Sequence, residues 1–322
     1  MTRTTRRSAS AGKQAPTGAV VEIRGLRCRY GDYEAVRGID LQVRRGEVFA
    51  LLGTDGAGKT TTLEVLSGFH RRSGGTVSVL GIDPGSGMIE LRARMGVMRQ
   101  EGGFIAELSV AETLRLWQRL TSRADDPGRL LARFELAERA DVPVAKLSGG
   151  ERRRLDLALA VWGTPELVIL DEPTTGLDPE SRRRSWDAIA ELTEAGRTVI
   201  LTTHYLEEAE ALADRLAIMH RGRIAASGTL ADVVAARPAG FSATVPGAPS
   251  QGLPELGGEV TTTASDGVTV IAVSTNDLQT DLTRFLGWAD SAGIRLDGLR
   301  AAPASLAEIY HGIRAADTDE QD

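Results

Sequence analysis

With 322 residues, 25% of them charged and 42% apolar, the chain can bury a sizeable core and form one large domain or two ordinary ones. The formal charge of -6 is modest and no basic stripe runs through the body, so nucleic acid is not an expected partner. A single cysteine, Cys28, excludes an internal disulfide and fits a reducing compartment, the cytoplasm.

Residues 1–18 carry Arg3, Arg6, Arg7 and Lys13 among Ser, Ala and Gly without an apolar run, which reads as a disordered basic tail and not a secretory signal. No apolar stretch approaches the roughly 18 to 20 residues of a membrane helix, so membrane association has to come through a partner. From about Val20 to Ala236, short β-branched runs alternate with longer helical stretches, the pattern of a parallel sheet wrapped by helices. Ile39, Leu41 and Val43 alternate as in a strand with one buried face. Val48 to Leu52 and Leu167 to Leu170 are apolar throughout, as central parallel strands should be.

Between about 104 and 162 the β signal disappears. Leu108, Leu114, Leu116, Leu120, Leu130, Leu131 and Leu136 recur among charged residues, which predicts an inserted helical subdomain. After Pro238 the composition turns to Gly, Pro, Ser and Thr, until Val268 to Val273 reads as a strand; Leu278, Leu282, Phe285 and Leu286 follow on one helical face. A small second α/β domain over residues 240–314 is therefore expected, with residues 315–322 as an acidic tail.

The segment GTDGAGKT, Gly53 to Thr60, follows a buried strand and precedes a helical stretch, the context in which G-x-x-x-x-G-K-[ST] forms a phosphate loop. Gly53, Thr54, Asp55, Gly56, Ala57, Gly58, Lys59 and Thr60, with Thr61, are expected to line a nucleoside triphosphate. Backbone N–H groups and the helix start would face the phosphates, Lys59 would add a point charge and the Thr60 hydroxyl would ligate Mg²⁺. The apolar strand Leu167 to Leu170 ends in Asp171 and Glu172. Ligands of open α/β sheets bind beyond the carboxyl ends of strands, so Asp171 can hold the metal and Glu172 can orient the attacking water. A plain turn or helix cap has the same look.

LSGGE, Leu147 to Glu151, opens a helical pattern, and Ser148 with Glu151 has capping-box spacing. Capping does not explain Gly149 and Gly150, each of which sacrifices up to about 1 kcal/mol relative to alanine in a helix. A close approach of another group to that backbone would explain them, and a helix N-terminus is an anion site. The arginines at 152–154 and 182–184 read as solvated helix faces, and His70, His220 and His311 as ordinary structural histidines.

In this order, GTDGAGKTT, Gln100, LSGGE, LVILDEP, GLDP at Gly176 to Pro179, and His204 resemble the ATP-binding cassette (ABC) ATPases over about Val20 to Ala236. The resemblance implies an ABC ATPase domain at 19–236, a P-loop NTPase sheet with its helical insertion, binding ATP with Mg²⁺. It implies a head-to-tail homodimer of ATPase domains in the ATP-bound state, in which Ser148, Gly149 and Gly150 serve the partner's γ-phosphate. It assigns Mg²⁺ and γ-phosphate sensing to Gln100, a reach across the dimer to Asp178, a γ-phosphate contact to His204 and adenine stacking to Tyr30, where the residue alone permits mere packing. Thr54, Asp55 and Arg99 depart from the usual family residues. With one cassette and no heptad array, a transporter motor on an integral-membrane permease, peripheral on the cytoplasmic side of the membrane, is favoured over a soluble non-transport ABC ATPase. Cys28 reads as inert. The stretch from LEEAEALADRLAIMHRGRIAASGTLADV to SLAEIYHGI resembles bacterial drug exporter ATPases of the daunorubicin-resistance type.

Overall fold

In the computed structural model, residues 18–247, 252–265 and 267–315 are described. Apart from Gly18 and Ala315, the two expected tails lie outside them. Six strands form the central sheet in the order Met95–Met98, Leu167–Asp171, Thr198–Thr203, Val48–Gly53, Arg215–His220, Arg223–Gly228. The first five run parallel, and the last pairs antiparallel with its neighbour. Val48–Gly53, Leu167–Asp171 and Thr198–Thr203 are buried at every position, which follows from their lying inside a parallel sheet covered on both faces. Their carboxyl ends, Gly53, Asp171 and Thr203, reach the same edge.

The alternating strand predicted around Ile39 belongs elsewhere. Tyr33–Arg44 pairs antiparallel with Ala19–Tyr30, which pairs antiparallel with Gly74–Val79, in a separate three-stranded sheet. Alternation marks a sheet with one buried face, and this sheet packs its apolar side, including Ile23, Val36, Ile39 and Val43, onto the central one.

No strand lies between Met98 and Leu167. The helices Val110–Leu120, Pro127–Arg133 and Gly149–Ala160 fill this interval, with Leu114, Leu130 and Leu136 buried in the same core as Leu155 and Trp162, whereas Leu120 is exposed. Arg123 sews this part to the sheet: it donates to the carbonyl of Met95 in the edge strand and to those of Trp162 (2.8 Å) and Arg92 (3.0 Å), while Trp162 Nε1 donates to the Arg123 carbonyl at 2.8 Å.

Beyond Arg237 a four-stranded antiparallel sheet follows, in the order Glu259–Ser265, Val268–Thr275, Ala239–Pro246, Asp297–Ala302. Three of these strands were invisible in the Gly-, Ser- and Thr-rich composition. Helix Leu278–Ser291 covers one face through Leu278, Leu282, Phe285 and Ala289. Leu286, expected on that face, is 40% exposed: it sits one residue, about 100°, beyond Phe285 around the helix. The last helix, Leu306–Ala315, leaves this sheet and buries Leu306, Ile309 and Tyr310 in the core shared by the six-stranded sheet and the helical part. Among the described residues, no helix is long and apolar enough to cross a membrane.

Candidate nucleotide-binding site

Val48–Gly53 turns into helix Lys59–Leu66 through a loop that only small residues allow. Gly58 has φ 102°, and a Cβ there would lie 2.6 Å from the Ala35 carbonyl oxygen and 2.7 Å from Met219 Cε. Lys59 is buried and folds back, its Nζ donating to the carbonyls of Gly53 (2.8 Å) and Thr54 (3.1 Å). Burial lowers the pKa of its ammonium, against the pull of Glu172, Asp55 and Asp171. Asp55 is exposed at the loop tip, and the Thr61 side chain is buried under Tyr30.

The acidic strand end stands opposite. Asp171 Oδ1 accepts from Thr60 Oγ1 at 3.3 Å and from Thr202 Oγ1 at 2.5 Å, and burial raises its pKa. Glu172 takes φ 49°, unusual for a residue with a side chain. This turn brings its carboxylate within 3.9 Å of Lys59 Nζ and 3.4 Å of His204 Nδ1, and Thr175 donates to it at 3.1 Å. His204 Nδ1 is close to Glu172 but not aligned into a hydrogen bond, so among the described residues this buried nitrogen has no hydrogen-bond partner. Its ring packs on Tyr205, which lies under the Arg182 guanidinium at 4.5 Å. Arg182 is thus half-buried instead of solvated, while Arg183 and Arg184 remain exposed.

Lys59, Thr60, Asp171, Glu172 and His204 are therefore brought to one place. A Mg²⁺ ion fits the pair Thr60 and Asp171, since this cation takes one or two protein oxygens and completes its shell with phosphate and water. Gln100 follows the neighbouring strand and is exposed, with its carbonyl accepting from Arg153 at 2.9 Å. Tyr30 is 45% exposed; its hydroxyl donates to Glu64 at 3.1 Å, and its ring packs against His70. Burial raises the pKa of the Cys28 thiol to about 11, which leaves it unreactive.

Ser148 caps helix Gly149–Ala160 in a capping box with Glu151. A Cβ on Gly149 would meet nothing within 4 Å, and one on Gly150 only Leu177 Cδ2 at 3.5 Å. Among the described residues, neither packing nor backbone conformation accounts for the two glycines. Asp178 caps helix Pro179–Glu194, its Oδ1 accepting from Glu180 and Ser181 N–H at 3.0 Å; hydrogen bonding from the Ser181 side chain first, and then from these N–H groups, holds its pKa down.

Two polar residues were missed by sequence reasoning. Thr202 holds both Asp171 and the Glu172 N–H (3.0 Å); a polar residue ending an apolar strand was its only signal. Arg153, expected on a solvated face, turns inward to the main chain around Asp171 and Gln100.

A glycine loop between strand and helix, with a buried lysine facing two carboxylates at the end of strand Leu167–Asp171, two places along the sheet, defines a P-loop nucleoside triphosphatase. Residues 36–175 match the ABC transporter family, and residues 242–305 match the C-terminal domain of ABC transporter domain-containing protein-like chains. The chain is 38% identical over 304 residues to daunorubicin resistance ATP-binding protein DrrA3 of Streptomyces coeruleorubidus, covering 90% of this chain and 94% of that one. It is 41% identical over 215 residues to Nod factor export ATP-binding protein I of Ralstonia nicotianae, covering 65% and 67%. A solved ATP-binding subunit of an ABC transporter superposes with a TM-score of 0.62 at 30% identity, over 66% of this chain and 91% of its own. The chain belongs to the ABC transporter family and is its ATP-binding, ATP-hydrolysing subunit. The non-transport alternative finds no support among these relatives.

Proposed function

We propose that this subunit is the peripheral motor of an exporter for drug-like or hydrophobic compounds, working on the cytoplasmic face of a membrane through a separate permease and closing as a homodimer on ATP. The observation that carries the reading is the convergence of Lys59, Glu172 and His204 at the strand ends, beside an uncovered helix start at Ser148 to Gly150. The drug-resistance and export names of the relatives support the direction of transport.

In this reading Lys59 exchanges the Gly53 and Thr54 carbonyls for the terminal phosphates, and the loop N–H groups from Thr54 to Thr61 cradle them. Thr60, Asp171 and Gln100 would hold Mg²⁺, which when bound supplies charge neutralisation across the β- and γ-phosphates. Glu172 accepts a hydrogen bond from the attacking water, and His204 contacts the γ-phosphate. Tyr30 stacks on adenine. Ser148, Gly149, Gly150 and Asp178 act on the partner's nucleotide.

The permease would dock along residues 100–108. Phe104 is half-buried against the core, so the apolar contact falls to the neighbouring Ile105, which is 51% exposed. The division into an ATPase domain at 19–236 and an accessory domain at 240–314 belongs to the same proposal, supported by the separate core around Phe241, Ile271 and Phe285. The last helix, packed in the ATPase body, ties the two together.

The test uses Lys59→Ala and Glu172→Gln. The first should abolish ATP binding with the fold intact. The second should keep binding, because it retains size and polarity, and lose turnover through the missing carboxylate. Normal turnover by either folded variant removes that residue from the mechanism.

A further inference from the structure

Helix Gly149–Ala160 starts at the two unexplained glycines, and its second turn points Arg153 into the protein, with a side chain 11% exposed. The guanidinium is used at every nitrogen. Nη1 donates to the carbonyls of Arg99 (3.1 Å) and Gln100 (2.9 Å), Nη2 to those of Asp171 (2.7 Å) and Glu172, and Nε to that of Pro173 (3.2 Å). Five carbonyls from two distant segments therefore converge on one planar fork, which matches the donor count of arginine and no other side chain. The nearest carboxylate, Asp156, stands 3.9 Å away on the same helix and packs against the loop at Gly102. Carbonyl dipoles surround the charge more closely than any counter-ion.

The carbonyls chosen are those whose placement matters. Glu172 is held in a left-handed conformation, which costs on the order of 1 kcal/mol or more unless its surroundings enforce it. Thr202 Oγ1 fixes its N–H and Arg153 its carbonyl. With both ends of the residue pinned, the carboxylate is aimed at Lys59 and His204. The same fork grips Gln100 at the start of the helical part.

We propose that Arg153 is a positioning residue for ATP hydrolysis, locking the main chain of Glu172 and Gln100 to the helix that begins at Ser148. Engagement of Ser148 to Gly150 then moves the water-orienting carboxylate and the Gln100 loop as one body. Arg153 touches no substrate; its effect passes through Glu172, so the inference rests on the role given to Glu172 above.

The experiment compares full-length wild type with Arg153→Lys and Arg153→Ala, reading melting temperature, affinity for a fluorescent ATP analogue, kcat and KM for MgATP, and rescue by ethylguanidinium. Arg153→Lys keeps the charge but has three donors. It should bind the analogue within about threefold of wild type while kcat falls on the order of 100-fold, the effect of a misplacement near 1 Å. Ethylguanidinium should restore part of the Arg153→Ala turnover saturably, and ethylammonium should not. Wild-type kcat in folded Arg153→Lys overturns the proposal. So does a loss of binding and turnover in step with the folded fraction, or an absence of guanidinium rescue. Glu172→Gln, run alongside, separates the layers: if it turns over normally the assignment of Glu172 fails, whereas an inactive Glu172→Gln beside a fully active Arg153→Lys removes Arg153 alone.

Discussion

Gly149→Ala separates stability from activity with a single methyl group. Among the described residues the new Cβ meets no atom within 4 Å, and the residue lies in the first turn of a helix, outside the positive-φ region. The substitution should therefore stabilise the nucleotide-free protein by about 0.5–1 kcal/mol, through helix propensity and a less entropic unfolded chain. For a body of this size that is a rise of roughly 1–4 °C in melting temperature. Bound between two subunits, the same methyl group would stand between the backbone N–H groups and the partner's phosphate. Displacing that contact by about 1 Å should cost turnover on the order of 10- to 100-fold. Differential scanning fluorimetry without nucleotide and steady-state ATPase assays on the same preparation read both effects. A variant that is more stable and fully active shows that nothing approaches this helix start, and one that is less stable shows that the space is filled in the chain itself.

Mixing Lys59→Ala with Ser148→Arg chains should regenerate ATPase activity that neither has alone, since a mixed dimer contains one intact composite site; persistent inactivity with ATP-induced dimers present refutes the trans arrangement. Asp156 offers a pH test, because burial raises its pKa from 3.8 to about 6. The folded state then holds a proton the unfolded state has lost, so stability falls as pH rises through that window and is level above it. Relative to Asp156→Asn, wild type should lose about 1.4 kcal/mol between pH 5 and 8, and parallel melting curves for the two proteins would contradict the assignment. Trp162→Ala should cost about 3–5 kcal/mol, because Trp162 is fully buried and its Nε1 donates to the Arg123 carbonyl. Urea unfolding measures this, and a loss under about 1 kcal/mol, less than an ordinary large-to-small core change, denies that Trp162 anchors the helical part.

The residues of the phosphate loop, the LSGGE helix start and the Asp171–Glu172 strand end were legible because each works through its own neighbours in sequence. Glycines permit a tight loop, a serine caps the helix it precedes, and an apolar strand delivers whatever ends it. The continuous apolar runs also marked the parallel core strands. Strands Glu259–Ser265 and Asp297–Ala302 stayed hidden because they are exposed along their length and need no hydrophobic pattern.

What distant segments contribute could not be read in advance. Three arginines in a row on a helix look alike, and only the carbonyls arriving from Gln100 and Glu172 decide that the Arg153 side chain turns inward, 11% exposed, while Arg152 stays in solvent. Phe104 and Ile105 are equivalent as apolar neighbours until the core takes the first and leaves the second outside. The approach of His204 to Glu172 joins residues far apart in the chain, and the φ of Glu172 that makes it possible is enforced by Thr202 and Arg153 from other elements. Local chemistry is written in the order of residues, whereas burial of a charge and the aim of a side chain depend on partners that only the folded chain supplies.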